Sequence, residues 1–241
     1  MALNLGILII GSLLWDEERR TWREARLDVN NSATVTAPIR YGRLSGKRRG
    51  HTYTMVFSRL SPAGHARAVR CARRVASAED LLVEAEYLWK AEELDAHANR
   101  IGANWGCVAL LCNPERKIPN NLAEQWAHRV AREPGYGNVS QAPEEGRLIS
   151  VEGLLQIDWP HVVGGGEGVD FDLLLGTAND PTLRGTPPSY PSVETMAHAW
   201  NCSGEHVSYF WNNFDNGITT FQDNEIRARL LPRRGVHSAP R

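Results

Sequence analysis

Two places in this chain put chemistry-bearing residues where ordinary packing does not call for them. The first is Gly11-Ser12, which ends the apolar run Gly6-Ile7-Leu8-Ile9-Ile10. Glycine lets a backbone approach a ligand closely, and successive N–H groups at the end of a buried strand can hold a carboxylate or an oxyanion. The same pair is also a common strand-ending turn. The second place is Glu92. Leu81, Ala85 and Leu88 recur at helical spacing, and the stripe continues through Glu92 to Ala96. A carboxylate at a core position is desolvated, so its pKa rises and it suits proton exchange near neutral pH. A shifted helix register would instead leave Glu92 at the surface, with Glu84, Glu86 and Glu93 as rivals.

A third cluster is basic. Arg40, Arg43, Lys47, Arg48 and Arg49 lie close together with Tyr41 and two glycines. They fit a solvated hairpin or an anion site. They also sustain a different function class, a non-catalytic ligand- or RNA-binding module in which Tyr41 and Tyr53 stack on bases. A formal net charge of -1 argues against nucleic acid as a partner. The 8 histidines contain no HExxH, and the 4 cysteines no CxxC, so no metal is expected. Gly164-Gly165-Gly166-Glu167-Gly168 lacks the Lys-Ser/Thr of a phosphate loop and is taken as a surface loop, which leaves no cofactor motif. Cys107, inside an apolar strand, is an inert core thiol on this reading.

The segment Ile10-Gly11-Ser12-Leu13-Leu14-Trp15 resembles the Tyr-Gly-Ser-(Leu/Asn) substrate loop of γ-glutamyl cyclotransferase-like enzymes. The glutathione-degrading branch of that family carries a similar Gly-Ser-Leu-x-Trp run. Ile10 stands where the family usually has Tyr. The resemblance covers residues 7–112, through the order of strand, loop, two further strands and a helix bearing an out-of-pattern glutamate. It implies a mixed, barrel-like sheet with flanking helices. It also implies that Ile10, Gly11, Ser12, Leu13 and Leu14 grip a small γ-glutamyl substrate and that Glu92 is the general base. The implied products are 5-oxoproline and a free amine, formed without a cofactor.

The elements that must position these groups follow from pattern. Strands are expected at 6–10, 34–41, 51–57, 105–112, 148–157 and 169–175, and a turn at Asn30-Asn31-Ser32. Helices are expected within 15–27, after Ser61-Pro62 with Arg67, Arg70 and Arg74 on one face, and at 78–98 from a Ser77/Asp80 capping box. Further helices are expected at 122–130, 193–200 and 205–212. The fold class is α+β, with a core at 1–160 and a mainly helical elaboration at 161–241 whose last ten residues fray. Trp200, Phe210, Trp211, Phe214 and Phe221 would form the core of that elaboration, a lid or a homodimer surface. At 241 residues and 42% hydrophobic composition the chain can bury a large core. The apolar run 5–15 lacks signal-peptide flanks and falls short of the ~20 residues of a membrane span. With scattered cysteines, this points to a cytoplasmic protein.

Overall fold

The structure, a computed structural model, describes residues 2–93, 99–133, 136, 139, 143–164 and 170–230. Its centre is β1 (Leu5–Ile9), five consecutive buried residues. A strand apolar on both faces must be covered on both, and here it also has a partner along each edge. The chain continues through α1 (Arg20–Arg26), β2 (Leu27–Leu44), β3 (Tyr53–Phe57), β4 (Ala63–Cys71) and α2 (Ala78–Glu92). There follow β5 (Gly102–Ala103), β6 (Gly106–Cys112), α3 (Asn120–Val130), β7 (Leu173–Asn179), α4 (Val193–Cys202), α5 (Ser208–Asp215) and α6 (Asp223–Arg229).

The seven strands form one mixed sheet in the order β3-β2-β4-β1-β7-β6-β5. Only the β1–β7 pair is parallel; the others run antiparallel. The sheet curls enough for Phe57 of β3 to pack on Gly176 of β7, 3.4 Å from where a Cβ would stand. Leu81, Ala85 and Leu88 of α2 are fully buried, as the stripe predicts. Tyr41 and Trp200 meet edge to ring with centroids 4.7 Å apart, and Phe210 packs tilted against Trp200 at 5.5 Å. No helix among the described residues is long and apolar enough to cross a membrane.

Several expected elements differ. The segment after Ser61-Pro62 is strand β4, because Gly64, Ala66 and Ala68 are buried at a spacing of two. Of the arginines expected on one helical face, Arg67 instead lies on the opposite face of β4, where it donates to Thr34 Oγ1 and Ser32 Oγ on β2, while Arg70 falls on the face of Ala68. Asn30-Asn31-Ser32 is a bulge within the 18-residue β2, where the register against β4 shifts between Asp28 and Ser32. The stretch 148–157 makes only isolated bridges, Leu154 to Leu110 and Ile149 to Leu155, around a tight turn at Gly153 (φ 76°). The seat expected for it beside the first-half strands is taken by β7, from beyond residue 160. The sheet therefore draws on both sides of that boundary. Helix α2 is described to Glu92; Ala96, Gly165 to Gly168 and the tail expected to fray lie outside the described residues.

The C-terminal helices are tied to the sheet by main chain. His65 N–H donates to Thr219 O at 2.8 Å, and Thr219 N–H returns a bond to His65 O at 3.0 Å. A Cβ on Gly64 would stand 2.2 Å from Thr219 O, a contact with backbone that no rotamer relieves. Gly64→Ala is expected to lower stability by about 1–3 kcal/mol, the usual cost of overpacking. Gly46→Ala, where nothing lies within 4 Å, is the control and should melt like the wild type. Equal melting temperatures for the two variants would refute this account of the docking.

Candidate functional site

The chain leaves β1 at Ile9 and folds at once into a 3-10 turn, Ser12–Leu14. Leu13 is buried and anchors the turn, which closes through Leu14 N–H to Gly11 O and Asp16 N–H to Ser12 O. The first N–H groups of a helical turn have no acceptor behind them. Those of Ser12 and Leu13 meet none among the described residues. Arg23 pins the loop from outside, donating to Leu13 O at 3.0 Å and Asp16 O at 2.6 Å.

The turn opens on a cavity of 210 Å³. That is room for about seven waters at roughly 30 Å³ each, the scale of a small metabolite's polar head. Ile10, Gly11, Ser12 and Leu13 line it, and so does Glu92. Leu14 does not; it packs against the hydrophobic core.

Glu92 arrives from the far end of α2. Ser77 Oγ accepts from Asp80 N–H at 3.1 Å and Asp80 accepts from Ser77 N–H at 2.9 Å, so the capping box sets where the helix starts. Four turns later the stripe delivers the carboxylate to the cavity. Arg19, only 5% exposed, fixes this end by donating Nε–H to Ala91 O at 3.1 Å. Burial raises the Glu92 pKa above the ordinary carboxylate range. The Thr177 hydroxyl, Arg49, Arg19 and Arg43 work against that rise. Thr177 Oγ1 is near enough to favour the charge but does not meet the carboxylate at full hydrogen-bonding geometry.

The rival glutamates sit elsewhere. Glu84 forms a buried pair with Arg26, at 3.1 Å to its Nε, and Glu86 lies 3.6 Å from Arg129. Glu93 caps α2 through its N–H to Trp89 O and does not line the cavity.

Two arginines of the basic cluster turn inward rather than to solvent. A bulge at Gly42 shifts the β2–β3 register so that Arg43 faces Thr54, and both line the cavity. The Arg43 guanidinium lies over the Trp105 ring at 4.2 Å. Burial lowers its pKa, while Asp180 and Glu92 favour its charge. Arg49, on the 3-10 turn Lys47–Arg49, donates to Ser12 Oγ at 3.3 Å. Neither forms an ion pair among the described residues. Arg40 is spent elsewhere, stacked 3.9 Å over Tyr190. The cluster is therefore not one continuous basic face.

Thr177 and Asn179 of β7 and Tyr209 of α5 complete the polar lining. No motif marks them; their signal lies in a topology that seats β7 beside β1 and α5 beside the turn. No group of three or more His, Cys, Asp or Glu that could hold a metal occurs among the described residues. Burial pushes the Cys107 thiol up to about 12, which leaves no thiolate for nucleophilic chemistry at neutral pH. The lining thus offers one carboxyl that can take and return a proton, backbone donors at a strand end, and guanidinium groups for an anion. No protein-family model matches the chain, and neither a curated protein nor a solved structure matches it.

Proposed function

We propose that this protein is a cofactor-independent enzyme that acts like γ-glutamyl cyclotransferases on a small γ-glutamyl amine or peptide. One observation carries the reading. The Glu92 carboxyl and the Ser12-Leu13 turn, from distant parts of the chain, border the same small cavity. In the proposed reaction the α-amine of the γ-glutamyl group attacks its own γ-carbonyl carbon. Glu92 takes the proton that the attacking nitrogen gives up. The carbonyl oxygen gains negative charge, which the Ser12 and Leu13 N–H groups stabilise. The new C–N bond closes the five-membered ring, the original amide C–N bond breaks, and Glu92 returns the proton to the departing nitrogen. The balance needs no water, metal or redox partner. Arg49, beside Ser12 and without an ion-pair partner among the described residues, would hold the substrate's α-carboxylate.

The test is release of 5-oxoproline by the purified protein from a panel of γ-glutamyl compounds. At least one member should yield 5-oxoproline and an equal amount of amine. A panel without turnover would remove the enzyme reading and leave the binding-module reading based on the Arg40 to Arg49 segment.

A further inference from the structure

We infer that the Tyr209 hydroxyl, delivered by α5, is a further donor to the developing oxyanion, beside the Ser12 and Leu13 amides. This rests on the cyclotransferase reading above and adds to it a catalytic residue from the C-terminal helices.

The phenol lies directly over the substrate turn. A Cβ on Gly11 would stand 2.8 Å from Tyr209 Oη, so the hydroxyl and the turn share space that only a glycine leaves open. Tyr209 lines the cavity while its residue as a whole is 9% exposed. Its position is doubly held. Trp15 packs edge-on against the ring with centroids 5.8 Å apart at 66°. Trp15 Nε1–H in turn donates to Asn213 Oδ1 at 2.8 Å, one helical turn beyond Tyr209. Loop and helix are thereby locked to each other, which fixes the hydroxyl relative to the turn.

The proton on that hydroxyl is available. Met55 N–H and the Asn213 side chain are near enough to favour charge on the phenolic oxygen, though Asn213 Nδ2 makes no full hydrogen bond, and no bond donated by the hydroxyl forms among the described residues. Burial keeps the phenol protonated at neutral pH, against the opposing pull of Arg49. A preorganised neutral donor of this kind strengthens its bond as charge develops on the carbonyl oxygen, with no proton transferred. When the intermediate collapses, the C=O bond re-forms and the hydroxyl is left as it was.

Tyr209→Phe tests this, because it removes the donor and keeps the ring between Trp15 and the turn. The kcat for 5-oxoproline release should fall by about 10²-fold, the lower end for loss of one oxyanion donor, with KM nearly unchanged. The melting temperature should stay at the wild-type value, and Gly11→Ala, which pushes the phenol away, should lower kcat in the same direction. A Phe variant with wild-type kcat, or one that raises KM alone, overturns the role of Tyr209 and leaves the cyclotransferase reading standing. A wild type that releases no 5-oxoproline overturns both.

Discussion

Glu92→Gln should reduce 5-oxoproline release by about 10²–10⁴-fold, the usual contribution of general acid–base catalysis. The amide keeps nearly the same shape and cannot take a proton. Glu93→Gln, on the helix cap and outside the cavity lining, should stay within a few-fold of wild type. The two variants separate a proton shuttle from a general effect of charge at the end of α2.

The same group predicts a pH signature. Burial is the largest influence on Glu92 and raises its pKa, so the folded chain holds that proton more tightly than the unfolded chain. For a carboxyl shifted this way, stability is greatest below the unfolded pKa of about 4.3 and declines as pH rises through the folded value. Glu92→Gln should therefore melt higher than wild type at neutral pH, and the gain should vanish near pH 4. The acid limb of kcat/KM should sit above the ordinary carboxylate range, because the base works only when ionised. A variant with unchanged turnover, or a stability gain that grows toward acid pH, would count against Glu92 as the buried shuttle.

Local rules made part of this site legible. The run 6–10 could only be a strand covered on both sides, and Gly11-Ser12 had to end it. The stripe Leu81, Ala85, Leu88 gave α2 its register, and the capping box gave its start, so the facing of Glu92 followed by counting. Where two periods fitted one segment, the sequence misled. Arg67, Arg70 and Arg74 match a helical face, but the small residues Gly64, Ala66 and Ala68 admit close strand packing, and burial of their face decided the matter. Asn30-Asn31 has turn chemistry, yet a long strand absorbed both residues in a bulge because β4 offered ladder partners on either side.

The rest of the lining depends on distant contacts. Nothing near 173–179 says that this strand runs parallel to β1, yet that pairing is what carries Thr177 and Asn179 to the cavity. Tyr209 looks like one more aromatic in a helix rich in them. Its chemistry becomes visible only once α5 lies against the Gly11 turn.

The basic cluster supplies the second large effect. Arg43 and Arg49 line the cavity beside Glu92, and neither forms an ion pair among the described residues, so each can still meet an anion there. Of the two, Arg49 touches the Gly11-Ser12 turn through Ser12 Oγ, and on the proposed reading it is the one that holds the α-carboxylate. Arg49→Met keeps an apolar stem of similar length and removes the charge. Truncating one partner of a buried, hydrogen-bonded charge pair costs about 2–5 kcal/mol, so KM should rise by at least about 30-fold. The kcat should change little, because the carboxylate is held equally in the ground state and the transition state. Arg49→Lys should recover part of the loss, since an ammonium restores charge without the two-pronged geometry. A Met variant with unchanged KM would remove Arg49 from substrate binding. If kcat fell instead at constant KM, Arg49 would act by holding the Ser12 hydroxyl, and the α-carboxylate would have to be assigned to Arg43.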